Sequence, residues 1–339
     1  MEEFPERFAG YLVVSLVDLF SGYDQWTLDP ASRAITAFYM PLGLMWLTTL
    51  LMGYKNSVQV FDRVMRKVLL HQILRGRCKP FIDDVAAKPS STSTYPDADG
   101  KPKISMIPGV RLYILEAKQS LDEVLADIER AGGTILWFKC AFVCEGLKII
   151  VLVCDSKGRH PVAEKVRKIL EWPACRNVTE ARAFIGMGVS YRAWNEDFSV
   201  VAEPIFRLFR HSHVTSKAPL EKKRKRKAVE FVGRAEQKKA MEKLKTALRS
   251  APALKPLIYT PEDDGFVGGI VPGVDACGLG FWGILQQEDW ESRRHSVTYE
   301  SGLWTPAETG YDAVKLECRG LLPTQKKFRY YLYGVQFLI

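Results

Sequence analysis

The chain has 339 residues, 47% of them hydrophobic and 26% charged, and 48 Lys and Arg against 39 Asp and Glu give a net charge of +9. That length exceeds a typical single domain and allows two or three, each with a core, and the ordinary composition excludes a fibrous or disordered chain. A basic balance favours polyanionic partners, while seven cysteines without paired C-x-x-C spacing or nearby histidines argue against a disulfide framework or zinc site and for a reducing compartment.

Met1-Glu2-Glu3 lacks the basic start of a secretory signal, so an intracellular location, cytoplasmic or nuclear, is expected. Leu12 to Leu19 is apolar on both faces and rich in β-branched residues, the pattern of a buried strand, and it carries one acid, Asp18. Phe38 to Tyr54 is apolar, yet it is short for a membrane span and is interrupted by Pro41, Gly43, Thr48, Thr49 and Gly53. No membrane partner is expected. From Gln59 to Leu74 the residues Val60, Phe61, Val64, Met65 and Val68 recur at helical spacing.

Cys78 to Ile82 and Val85 to Ala87 suit a β-hairpin whose tip is Asp83-Asp84. Adjacent carboxylates repel and resist desolvation, so such a tip is either solvated or holds a cation. Residues 88–106, rich in Ser, Thr, Pro, Asp and Gly, read as a mobile insertion. Leu112 to Ala131 is helical in period and Gly132-Gly133 stops it. Two strands are expected next, Thr134 to Phe142 and Leu147 to Cys154, turning through Cys144-Glu145-Gly146. A sheet with helices on one face, α+β in class, accounts for this order.

Residues 211–230 contain six consecutive cations, 222–227, which cannot pack. They read as an exposed basic linker that is simply solvated, holds nucleic-acid phosphates or acts as a nuclear localisation signal. After them come a helix over 235–250, a strand carrying Asp275, a Gly-rich turn and a second strand, Phe281 to Gln287.

Four segments carry a resemblance. They are Asp18-Leu19-Phe20-Ser21-Gly22-Tyr23-Asp24-Gln25, then Thr36-Ala37-Phe38 with Pro41-Leu42-Gly43-Leu44, then Met52-Gly53-Tyr54-Lys55-Asn56-Ser57, then Phe81-Ile82-Asp83-Asp84. In this order they resemble the reverse transcriptase of a gypsy-type LTR retrotransposon Pol polyprotein. Farther on, Asp275-Ala276-Cys277-Gly278 and Lys315-Leu316-Glu317-Cys318 resemble its ribonuclease-H-like domain.

The resemblance implies an RNA-directed DNA polymerase with associated RNase H. It implies a polymerase palm with partial fingers over 1–160, a small helical thumb over 161–210, the linker over 211–230 and a ribonuclease-H-like α/β domain over 231–339. Both catalytic domains read as truncated: the segment before Asp18 is short, and the chain ends before the nuclease's next acid. The implied metal ligands and catalytic acids are Asp18, Asp83 and Asp84 in the polymerase, and Asp275 and Glu317 in the nuclease. Two Mg²⁺ ions per polymerase site, with Mn²⁺ as a substitute, are the implied cofactors.

Tyr23 takes the place that excludes a 2′-hydroxyl, and Gln25, Met52, Gly53, Asn56 and Lys139 take nucleotide-binding places. Asn56 equally suits a plain N-cap, and Lys139 an ordinary solvated position. The implied partners are RNA or DNA template-primer, RNA–DNA hybrid, deoxynucleotide triphosphates, and the protease and integrase of the same element. The alternative is an inactive relic that at most binds nucleic acid. It is favoured by Ile149-Ile150-Val151-Leu152, where the family carries a primer-gripping glycine, and by Leu51 in place of Pro.

Overall fold

A computed structural model describes residues 3–89, 104–150, 152–210, 235–259, 268–289, 291–335 and 337. Most of the insertion expected at 88–106 and all of the basic linker at 211–230 lie outside the described residues. Helices and sheets are mixed, α+β as expected, in two compact units that part between Arg159 and His160.

The first unit opens with a short helix α1 (Glu3–Glu6) and is built around β1 (Val14–Asp18). A turn of helix α2 (Pro30–Arg33), capped by the Asp29 carboxylate on the Ala31 N–H at 2.8 Å, precedes a small hairpin of β2 (Phe38–Met40) and β3 (Gly43–Met45). This is where the apolar run at 38–54 goes. Its first part forms this exposed hairpin while Leu50 enters the core, and among the described residues no helix is long and apolar enough to cross a membrane.

The amphipathic stripe beyond it forms α3 (Ser57–Val68) and, after a break, α4 (Leu70–Leu74). The sequence suggested one helix. The break falls at Leu69, fully buried with φ −96° and ψ 13°, and it sets the buried Gln72 to donate to the Asp127 carboxylate at 2.9 Å. The hairpin of β4 (Cys78–Phe81) and β5 (Asp84–Ala87) follows, then α5 (Leu112–Arg130).

β5 and β6 (Ala141–Cys144) flank β1 in a sheet of order β4-β5-β1-β6, every pair antiparallel. With both edges paired, β1 is buried on both faces, and this explains its unbroken apolar run. Val17, Leu19, Phe61, Met65, Leu69, Val85, Leu121, Val124 and Ile128 form the core between this sheet and helices α3 and α5. Each such side chain contributes on the order of 1.5–3 kcal/mol by leaving water.

The expected strand over 134–142 is corrected. Ile135 makes an isolated bridge to Leu19, Trp137–Lys139 is a 3₁₀ turn, and only Ala141–Cys144 pairs as a strand. The second expected strand is two, β7 (Gly146–Ile149) and β8 (Leu152–Asp155), with Ile149 opposite Leu152 and Ile150 at φ +58°. Nothing in an apolar β-branched run announces such a turn, because a left-handed residue there is ordinarily Gly or Asn. β9 (Gly158–Pro161) completes the three-stranded sheet.

The second unit starts with α6 (Ala163–Leu170), α7 (Val178–Val189), α8 (Phe198–Arg210) and α9 (Ala235–Arg249). Asn177 caps α7 by accepting from the Glu180 N–H at 2.8 Å, and Glu180 reaches back to the Asn177 carboxamide and the Arg176 N–H. Next comes an antiparallel sheet of β10 (Ile270–Ala276), β11 (Gly280–Glu288) and β12 (Arg294–Leu303). Helix α10 (Ala313–Leu332) covers it, burying Leu316 against Phe281 and Trp304, and Phe328 and Leu332 against Ile270 and Leu285. Beyond the helix, Phe337 makes an isolated parallel bridge to Ile270.

Candidate active site

The β4–β5 hairpin forms as expected, but its turn is Ile82-Asp83 rather than Asp83-Asp84, and Asp84 is the first residue of β5, directly opposite Phe81. Ile82 makes the turn at φ +57°, a left-handed conformation that a β-branched residue holds only at a cost of order 1–3 kcal/mol and that clusters at functional sites. Asp84 pairs in register with Asp18 on β1, and the Leu19 N–H donates to the Asp83 carbonyl at 3.0 Å. The three predicted polymerase carboxylates therefore stand at the same end of neighbouring strands.

Their charges feel one another. Burial first, then Asp83 and Asp18, push the Asp84 carboxyl up to about 6, with Lys139 pulling the other way. Asp18 is raised as well, by burial and by Asp83, again opposed by Lys139. A carboxylate disfavoured by like neighbours is the electrostatic condition that a bound cation relieves.

The 136–140 segment is tied to Asp18 by both backbone groups. The Leu136 N–H donates to the Asp18 carbonyl at 2.8 Å, and the Asp18 N–H donates to the Cys140 Sγ at 3.4 Å. These bonds convert the expected strand into the 3₁₀ turn that carries Lys139 toward the acids. Cys140 was not singled out by the sequence; its thiol is raised by burial and by Asp18 and Asp84.

The donor set is all carboxylate oxygen, the kind a hard divalent cation prefers. Among the described residues no group of three or more His, Cys, Asp or Glu stands ready to hold a metal.

Tyr23 lies beside this cluster. It is 8% exposed, its ring stacks on Phe61 with centroids 4.7 Å apart and planes at 28°, and burial together with Asp83 raises its hydroxyl. Gln25 has its carboxamide committed to the backbone. It accepts from the Thr134 N–H at 2.7 Å and donates to the carbonyls of Thr134, at 3.0 Å, and Phe20. This clamp between the Asp18 loop and the end of α5 had no signal in the sequence. Met52, Gly53 and Asn56 are exposed ahead of α3, and Asn56 occupies its N-cap position without a side-chain hydrogen bond.

In the second unit the predicted nuclease acids are placed differently. Asp275 is exposed near the end of β10, where its carboxylate accepts from the Ala276 N–H at 2.8 Å. Glu317 is exposed on α10, next to the buried Leu316 that packs with Ala276. No hydrogen bond joins the two acids among the described residues.

Comparison with known proteins places this geometry in context. Residues 234–339 match the family described as an RNase H-like domain found in reverse transcriptase. The retrovirus-related Pol polyprotein from transposon 297 of Drosophila melanogaster is 24% identical over 323 residues, 95% of this chain and 26% of that protein. The corresponding polyprotein from transposon gypsy is 26% identical over 60% of this chain and 18% of its own length. The transposon Tf2-3 polyprotein of Schizosaccharomyces pombe is 20% identical over 98% of this chain and 22% of that protein. The chain thus spans about a quarter of the length of the curated relatives it matches.

Among solved structures, the foamy viral protease-reverse transcriptase dRH in complex with double-stranded DNA aligns with 99% of this chain and 50% of its own, at a TM-score of 0.76 and 16% identity. The foamy viral protease-reverse transcriptase in complex with RNA/DNA hybrid aligns with 98% of this chain and 39% of its own, at a TM-score of 0.71 and 17% identity. These likenesses establish a shared fold.

Proposed function

We propose that this chain, which is similar to the gypsy-type retrotransposon Pol polyproteins, is an RNA-directed DNA polymerase module with an appended RNase H-like domain. One observation carries the reading: Asp18 and Asp84 face each other across adjacent strands, with Asp83 at the hairpin end and Lys139 within electrostatic reach. In this reading residues 1–160 are the palm with partial fingers, 161–210 the thumb, 211–230 a basic linker and 231–339 the RNase H-like domain.

Asp18, Asp83 and Asp84 would hold Mg²⁺, which when bound supplies positive charge for nucleotidyl transfer from a deoxynucleotide triphosphate to a primer 3′-hydroxyl. The chain's own groups do the rest. The strained Ile82 turn and the two backbone bonds to Asp18 fix the carboxylates in place, so they need no reorganisation as charge develops. Lys139 offsets their mutual repulsion and offers a cation to a triphosphate. Tyr23 presents a ring against the sugar and excludes a 2′-hydroxyl. Trp137 and Phe138, 73% and 76% exposed beside Lys139, offer faces on which bases stack. The net charge of +9 supplies the attraction for a template-primer or an RNA–DNA hybrid.

Primer extension on an RNA template with Mg²⁺ tests the proposal, comparing the chain with Asp83→Asn. Extension abolished by the substitution supports it. A second reading, nucleic-acid binding without catalysis, is favoured by the lack of a ready three-ligand cluster among the described residues. Under that reading the folded chain retains primer-template and extends nothing.

A further inference from the structure

Tyr23 does not stand alone. Phe61, the fifth residue of α3, is 0% exposed, and its ring lies against that of Tyr23 at 4.7 Å between centroids. It also presses on the neighbouring residue: a Cβ built on Gly22 would come within 3.0 Å of Phe61 Cζ and 3.5 Å of Asp83 Cβ. Residue 22 is therefore confined between the helix and the carboxylate hairpin, and Tyr23 follows it with no room to shift toward α3. Phe61 belongs to one buried core with Met65, Leu69, Leu121 and Val124, and such packing transmits strain rather than absorbing it.

Resting on the polymerase reading above, we propose that Phe61 is a specificity-determining positioning residue that sets discrimination between deoxyribose and ribose. A ring that excludes a hydroxyl works only while it cannot retreat, since the oxygen needs little added space. Phe61 blocks that retreat. It touches no substrate and acts through Tyr23. The offset stack it makes also orients the Tyr23 ring plane, because an aromatic pair loses its favourable quadrupole alignment when one ring turns. A smaller, non-planar side chain at position 61 removes both constraints while keeping the site apolar.

The experiment is primer extension by the full chain with each deoxynucleotide and its ribonucleotide counterpart, reading the ratio of kcat/KM values for wild type, Phe61→Leu, Tyr23→Ala and Val124→Ala. Val124 is fully buried in the same core and takes no part in the Tyr23–Phe61 ring pair, so its variant reports general loosening. Phe61→Leu is expected to lower the ratio about tenfold while deoxynucleotide incorporation persists, and Tyr23→Ala to lower it further. Val124→Ala is expected to lower the melting temperature and leave the ratio unchanged. An unchanged ratio in Phe61→Leu, with Tyr23→Ala lowered, overturns this inference and leaves the gate at Tyr23 intact. An equal drop in Val124→Ala overturns it too. An unchanged ratio in Tyr23→Ala overturns the gate itself, and no extension by the wild-type chain overturns the polymerase reading together with this inference.

Discussion

Asp18, Asp83 and Asp84 stand at neighbouring strand ends of one hydrogen-bonded sheet, whereas Asp275 and Glu317 stand on a strand and a helix that meet through apolar side chains. Backbone register fixes strand neighbours to a fraction of an ångström, so acids placed on them are forced into each other's field. Side chains projecting from a helix and a strand into solvent carry no such obligation. The raised carboxyls of Asp18 and Asp84 are the measurable sign of the first arrangement. Crowding enforced by hydrogen bonds, rather than the count of acids, sets the carboxylate cluster of the first unit apart from the two acids of the second.

The sharpest way to break this comparison is substitution of one acid in each constellation. Asp18→Asn is expected to lower primer extension by more than about 100-fold, while Asp275→Asn and Glu317→Gln leave it within about twofold. A large loss from either second-unit variant would mean that the two units share one catalytic task.

Glycines give the next contrast. Gly22→Ala sets a methyl 3.0 Å from the ring of buried Phe61, an overpacking expected to cost about 1–3 kcal/mol in urea unfolding. Gly278, in the turn after Asp275, has nothing within 4 Å of an added Cβ, and Gly278→Ala is expected to stay within about 0.5 kcal/mol.

Proton linkage sharpens the comparison further. The folded-state value of Asp84 is about 6, above its ordinary 3.8, so the folded chain binds that proton more tightly than the unfolded one. In metal-free protein this contribution to stability is present at low pH and is lost as pH rises through about 6. Mg²⁺ competes with the same proton, and its affinity is expected to fall up to about tenfold per pH unit below about 6. Thermal melts with and without Mg²⁺ on the two sides of that value check both signs. Asp84→Asn is expected to remove the Asp84 share of this metal-free pH dependence and leave the share of Asp18, which is also raised.

The smallest effects concern two glutamine clamps, one in each unit. Gln287 is 7% exposed and bonds the Ile258 N–H at 2.9 Å and the Ile258 carbonyl at 2.7 Å, while Gln25 is half-buried at Thr134. Denaturant unfolding should show about 2 kcal/mol lost in Gln287→Ala and about 1 kcal/mol in Gln25→Ala, because the deeper carboxamide leaves backbone groups that water cannot reach.

Much was legible in the residue order. The apolar run to Asp18 announced a strand buried on both faces, the Asp83-Asp84 pair announced its hairpin, and the helical stripes announced α3 and α5, because each is a local pattern of hydrophobic period or turn chemistry. The strand expected over 134–142 failed because the hydrogen bonds of Leu136 and Cys140 go to Asp18, more than a hundred positions away. The turn at Ile150 failed because a strained left-handed residue in a β-branched run is held by its surroundings and contradicts its own propensity.

The sequence by itself determined which residues could carry charge to one place and which runs had to be buried, since composition and period act over short stretches. Only the tertiary structure decided that Lys139 comes within electrostatic reach of Asp18 and Asp84, that Phe61 stacks on Tyr23 and that Gln25 serves the backbone at Thr134. Those relations depend on strand register and on packing between segments far apart in the chain, and no local pattern encodes either.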